Sequence, residues 1–257
     1  ATLPKPAIKH IAAADWDRNI AMDVICVPAA EGEAGLLQNI MHGRFRWLEA
    51  DLGLAGVPAD SSIVVDQLDG AGAWDLVIAG PSGLSVLTTS GGGDTQVKQR
   101  AMISLTEDAV VDARIADLDN DGLSDIVAWS NVGIQFFRGT GGGQFEDLSN
   151  LLPEVSDIAS LDINDVDEDG DLDIAVLGYY VVYGESVEER LVLLRNDGEE
   201  SPEAWDFEYI DVPLGGLTTG PSDLAWGDLD GDGDQDLVVG TDGETVIYRN
   251  DGGTLIA

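Results

Sequence analysis

Asp228-Leu229-Asp230-Gly231-Asp232-Gly233-Asp234-Gln235-Asp236 is the stretch that decides how this chain folds. Counted from Asp228 as position 1, it sets carboxylates at positions 1, 3, 5 and 9 and a glycine, Gly233, at position 6. Oxygen ligands at alternate positions suit a hard cation such as Ca²⁺. Glycine at position 6 lets the chain double back around the ion. Apolar residues flank the stretch, with Leu224, Ala225 and Trp226 before it and Leu237, Val238 and Val239 after it. An EF-hand would need helices on both sides and a glutamate at position 12. This chain has Val239 there, so the stretch reads as a nine-residue calcium loop between two β-strands.

The pattern recurs. Asp117, Asp119, Asp121, Gly122 and Asp125 repeat it in full, as do Asp165, Asp167, Asp169, Gly170 and Asp173. Asp15, Asp17, Asn19 and Asp23 keep the ligand types but carry Ile20 at position 6. The stretch from Gln67 to Asp75 keeps only Asp69, Gly72 and Asp75, with Ala71 at position 5. A spacing of about fifty residues, repeated along the chain, is the mark of a repeat architecture. The repeats span about 8–56, 57–105, 106–153, 154–215 and 216–257, within a single expected domain over 1–257.

Each repeat reads as a strand, the Asp loop, a second strand, a turn, a third strand, a polar turn and a weaker fourth strand. In the third repeat these strands are 112–116, 125–129, 134–138 and 144–147, with a glycine turn over 139–143. In the fifth, either 254–256 or 3–7 supplies the last strand. Four short strands per unit of this length is a β-propeller blade. The expected fold is therefore all-β: five four-stranded antiparallel blades, as a five-bladed ring or a segment of a larger propeller. The fourth repeat carries an insertion over 178–190 with Tyr179, Tyr180 and Tyr183, read as a longer hairpin whose tyrosines pack on the neighbouring blade, with a ligand platform built from them as the alternative. Trp16, Trp74, Trp129 and Trp226 lie in or beside the loops and read as packing between blades.

These residues resemble the FG-GAP/VCBS repeat family, to which integrin α-chain propellers belong. The Asp loops between strands carry the resemblance, together with the run Leu193-Leu194-Arg195-Asn196-Asp197-Gly198. The resemblance implies a β-propeller with Ca²⁺ in the loop joining the first two strands of a blade. The implied ligands are the side chains at positions 1, 3, 5 and 9 and the backbone carbonyl of position 7, here Leu123, Asp171 and Asp234. Three ions are expected, with a fourth in the loop of Asp15, where Ile20 departs from the pattern. Gln67 and Ala71 leave the second loop too few oxygens, so it is expected to be metal-free.

Acidic residues number 49 against 12 Lys plus Arg, a formal charge of −37. Such a surface repels nucleic acid and anionic membrane. Cys26 is the only cysteine, which excludes an internal disulfide, and it sits in an apolar run as a small buried hydrophobe. No apolar run reaches the ~18 residues of a membrane-spanning helix. The chain opens Ala1-Thr2-Leu3-Pro4, without Met or a signal-peptide core, and reads as a mature form or an excised segment. Neither His10 nor His42 sits in a catalytic motif, and no nucleophile elbow, zinc signature or phosphate loop is present. The expected function is a non-catalytic calcium-binding scaffold outside the cytoplasm, with a protein or glycan ligand. The alternatives are a polysaccharide-active enzyme, or an accessory domain of one, and a purely structural segment of a large surface protein.

Overall fold

The structure is a computed structural model. It describes every residue except 1–6, 49–52, 92–96, 154, 183–185, 199–206, 215–220 and 242. Among the described residues, twenty strands form five antiparallel sheets of four, each made of consecutive strands. The first sheet holds β1 (Ile8–Ala14), β2 (Asp23–Pro28), β3 (Gly35–Asn39) and β4 (Phe45–Leu48). The second holds β5 (Ser62–Asp66), β6 (Asp75–Gly80), β7 (Gly83–Gly91) and β8 (Val97–Thr106). The third holds β9 (Asp112–Ala116), β10 (Asp125–Ser130), β11 (Gly133–Gly141) and β12 (Gln144–Asp147). The fourth holds β13 (Ser156–Asn164), β14 (Asp173–Val182), β15 (Ser186–Asn196) and β16 (Phe207–Val212). The fifth holds β17 (Pro221–Gly227), β18 (Asp236–Thr241), β19 (Thr245–Asn250) and β20 (Leu255–Ile256). Each is the four-stranded up-and-down unit that the repeat pattern predicts.

The chain groups into two compact units, residues 1–115 with 138–146, and 116–137 with 147–257. In the first, Trp16, Ile25, Val27 and Leu36 of one sheet pack against Ile63, Leu76, Ile78 and Leu87 of the next. In the second, Val127, Trp129 and Phe136 pack against Leu161, Ile174, Val176 and Val192. The opposite face of that fourth sheet, with Ala175, Leu177, Leu191 and Leu193, packs against Leu224, Leu237, Val239 and Tyr248. The second strand of this sheet, β14, is thus covered on both faces, which is why Ile174-Ala175-Val176-Leu177 is apolar without alternation.

Several expectations meet the structure directly. Strands β9 and β12 have the predicted bounds, and Leu255–Ile256 supplies the fourth strand of the fifth sheet. Of the alternative segment 3–7, all but Ala7 lies outside the described residues. The glycine turn predicted over 139–143 is shorter: β11 runs to Gly141, leaving Gly142 and Gly143 with φ of 63° and 72°. A two-residue hairpin turn of type I′ has positive φ at both central positions, which two glycines supply without strain. The insertion in the fourth repeat is a long hairpin, with β14 and β15 paired out to Val182 and Ser186. The side chains of Tyr179, Tyr180 and Tyr183 lie outside the described part. Cys26 is buried, which pushes its thiol pKa up. Trp16 and Trp129 are buried in the cores, with Trp74 and Trp226 packed against them.

Candidate metal centres

The five Asp loops share one backbone path. Position 6 is left-handed in all of them, with φ of 77° at Ile20, 73° at Gly72, 84° at Gly122, 101° at Gly170 and 110° at Gly233. Ile20 therefore bears the strain that its sequence position implied, and it is 93% exposed. Position 4 is left-handed as well, at Arg18, Gly70, Asn120, Glu168 and Gly231. The sequence reading missed this second position. The glycines at 70 and 231 and the asparagine at 120 were its only trace, since Gly and Asn tolerate such φ values.

The ninth-position aspartate is fully buried in every loop: Asp23, Asp75, Asp125, Asp173 and Asp236. Its Oδ2 accepts the N–H of position 2, from Trp16 (3.1 Å), Leu68 (3.0 Å), Leu118 (2.9 Å), Val166 (2.9 Å) and Leu229 (2.9 Å). The Oδ1 of Asp23, Asp75, Asp173 and Asp236 accepts an N–H from the third strand: Asn39 (2.7 Å), Thr89 (2.8 Å), Asn196 (2.8 Å) and Asn250 (2.9 Å) respectively. This side chain pins the loop to the sheet whether or not an ion is bound. That explains why Asp75 is present in a loop that has Gln67 and Ala71 at positions 1 and 5 in place of carboxylates. Burial raises the carboxyl pKa of Asp23, Asp75 and Asp173, the last to about 7, against the opposing effect of these N–H donors. At Asp236 the donors prevail, Asn250 first, and the pKa is lowered.

The remaining acidic positions converge at the loop mouth. Carboxylate oxygens of positions 1, 3 and 9 lie within 4.8 Å of one another in four loops: Asp15, Asp17 and Asp23; Asp117, Asp119 and Asp125; Asp165, Asp167 and Asp173; Asp228, Asp230 and Asp236. In the fourth loop Asp169 also groups with Asp167 and with Asp197, which lies just beyond β15. Backbone N–H groups of the turn occupy some of these oxygens. Asp117 Oδ1 and Oδ2 accept from Asp121 and Gly122, Asp165 Oδ2 from Gly170, and Asp228 Oδ1 from Gly231. The N–H of position 7 donates to position 5, from Leu123 to Asp121, Asp171 to Asp169 and Asp234 to Asp232. The side chains of Asp171 and Asp234 point to neighbours, accepting from Asn120 Nδ2 (2.5 Å) and from the Gly252 N–H (3.1 Å).

The donor set fits a hard cation best in the loop of residues 165–173. Asp165 Oδ1 and Asp167 Oδ1 are buried and have no hydrogen-bond partner among the described residues. A buried, charged oxygen without a donor is costly unless something positive faces it. Arg195 does not meet this need: its Nε stands 3.7 Å from Asp167 Oδ2, while Asp197 at 2.8 Å and Glu208 hold the guanidinium. Burial, then repulsion from Asp169, raises the pKa of Asp167, against the opposing effect of the Asp169 N–H and of Arg195.

The first two loops differ. Asp69, its side chain 2% exposed, pairs at 2.6 Å with the guanidinium of Arg100 on β8. Asp17 accepts from the side-chain amide of Gln38, whose Oε1 in turn accepts from Arg46 Nε (3.1 Å) and Nη2 (2.5 Å). Neither Gln38, Arg46 nor Arg100 was singled out by the sequence reading.

Comparison with known proteins agrees with this repeat geometry. Residues 67–128 and 117–176 match the FG-GAP-like repeat, and residues 220–256 match the FG-GAP repeat. No curated protein matches the sequence. Among solved structures, one similar chain is an Agrocybe aegerita lectin described as specifically recognising non-reducing terminal N-acetylglucosamine. It has a TM-score of 0.61 and 18% identity, covering 95% of this chain and 63% of the lectin. Another is from the Tc holotoxin pore of Photorhabdus luminescens, with a TM-score of 0.48 and 20% identity, covering 97% of this chain and 12% of that one. This chain thus spans less than two thirds of either, and the likeness to the lectin is one of fold. On its repeated loops and the matched segments, the chain belongs to the FG-GAP repeat family, and its five sheets are β-propeller blades.

Proposed function

We propose that this protein is a non-catalytic, calcium-stabilised β-propeller that displays a binding surface for a glycan or protein ligand outside the cytoplasm. The observation that carries the metal part is the pair of buried, unpartnered oxygens, Asp165 Oδ1 and Asp167 Oδ1, among converging carboxylates. Positions 1, 3, 5 and 9 of the loops at 117–125, 165–173 and 228–236 would hold Ca²⁺, with the backbone carbonyls of Leu123, Asp171 and Asp234. The ion supplies positive charge to carboxylates that otherwise repel one another, and ties the loop mouth together. Extracellular calcium modules bind at roughly 10⁻⁴ to 10⁻³ M, which suits a compartment rich in the ion. No helix among the described residues is long and apolar enough to cross a membrane.

A glycan is the first ligand to test, because a lectin shares the fold. The charge of −37 argues against nucleic acid. The test has two arms. Thermal unfolding with calcium and with EDTA, alongside elemental analysis, is expected to show bound calcium and a lower Tm in chelator. An unchanged Tm and no calcium would end the metal reading. A glycan array probed in calcium, starting from N-acetylglucosamine-terminated glycans, tests the ligand class.

A further inference from the structure

We infer that the first two loops take no divalent cation, because side chains of the chain itself stand where the ion would be. This inference rests on the calcium reading above for the other three loops.

In the second loop the substitute is a full positive charge. Arg100 reaches back from β8 to Asp69 Oδ2. The other oxygens are taken by backbone donors: Ala71 N–H on Asp69 Oδ1 (2.7 Å), Thr89 on Asp75 Oδ1 (2.8 Å), and Leu68 and Asp69 on Asp75 Oδ2. An arginine hydrogen-bonded to a nearly buried carboxylate is a strong charge-assisted pair. A second cation placed there would be repelled by the guanidinium and would find far fewer than the six to eight oxygens Ca²⁺ takes.

In the first loop the substitute is an amide backed by a guanidinium. Two donor contacts from Arg46 fix Gln38 Oε1, so the NH₂ end of the amide faces Asp17 Oδ2. An N–H donor thereby enters a cluster where an ion would require an oxygen. Asn19 Nδ2 donates to the same Asp17 oxygen at 3.0 Å. Asp15 Oδ1 and Oδ2 accept from Asn19 and Ile20, Asp17 Oδ1 from Asn19, and both oxygens of Asp23 from backbone N–H groups. All six carboxylate oxygens of this cluster are thus occupied, unlike Asp165 and Asp167. The fourth calcium anticipated at Asp15, Asp17, Asn19 and Asp23 is replaced by Gln38 and Arg46.

The experiment is a count of ions retained by the full chain in native mass spectrometry, titrated with calcium chloride. Three are expected in the wild type, three in Asp17→Asn, and two in Asp167→Asn or Asp230→Asn. A fourth ion in the wild type that Asp17→Asn removes overturns the inference for the first loop. One that Asp69→Asn removes overturns it for the second. No ion at all defeats the calcium reading, and a metal-independent arm then decides this one. Arg100→Met is expected to lower Tm by about 2–4 °C in EDTA, the shift that a loss of 1 kcal/mol gives in a chain of this size. Added calcium should not restore it. An unchanged Tm, or full rescue by calcium, would overturn the inference.

Discussion

The side-chain amide of Asn196 donates to the backbone carbonyl of Leu118 at 2.8 Å, across a sequence separation of 78 residues. Asn250 does the same to Val166 at 2.7 Å. Each asparagine also donates its backbone N–H to the ninth-position carboxylate of its own sheet, Asp173 or Asp236. One residue therefore joins its own loop to the loop of the sheet before it.

Asn196→Ala should cost about 1–3 kcal/mol, because it leaves the Leu118 carbonyl buried without a donor. Asn39→Ala should cost less, since its amide donates to the Met22 carbonyl at an exposed site. Urea unfolding with and without calcium measures both. A cost for Asn196→Ala that disappears in chelator would mean the residue acts through the ion instead.

Asp75→Ala should destabilise the protein even though its loop is read as metal-free. Three N–H groups, from Leu68, Asp69 and Thr89, lose their acceptor in a fully buried place. The expected loss is at least ~2 kcal/mol and is the same in calcium and in EDTA. Chemical unfolding under both conditions checks it; a loss seen in calcium alone would reassign Asp75 as a ligand.

Stability should fall on mild acidification through His10. Its Nδ1 accepts the Ile63 N–H at 3.3 Å. Burial lowers its pKa, with Arg114 and Lys9 adding to this and Asp112 opposing it. The unfolded chain, near the ordinary value of about 6.5, then binds the proton before the folded one does. Stability present above that value is lost as pH drops below it, until the folded state also protonates. Unfolding midpoints at pH 7.0 and 5.5 should diverge more in the wild type than in His10→Asn, and equal divergence would rule the residue out.

Gly253→Ala should impair the loop of residues 165–173. Its φ is +86°, and an added Cβ would lie 2.6 Å from the Asp167 Cβ. Gly122→Ala has a similar φ of +84° but opens into empty space, so only a conformational cost of about 1–2 kcal/mol is expected. Calcium titration of both variants should show weaker loading in Gly253→Ala alone.

The periodic Asp loops and the apolar quartets after them, such as Ile126 to Trp129, determined the blades from sequence alone. Both are local features. A carboxylate at position 9 pins the N–H of position 2 seven residues away, and glycine at position 6 permits a left-handed turn whatever surrounds it. The strand order and the bounds of β9 and β12 followed from that grammar. Tertiary structure alone decided which loops are filled from within. Gln38 lies 21 residues from Asp17, and Arg100 lies 31 residues from Asp69, each on another strand of the same sheet. Their side chains enter the loops because strand pairing and twist carry them there, and no local pattern marks a glutamine or an arginine as the partner of a distant carboxylate. The charges that crowd a loop are written in its own nine residues; what neutralises them depends on which strands fold against it.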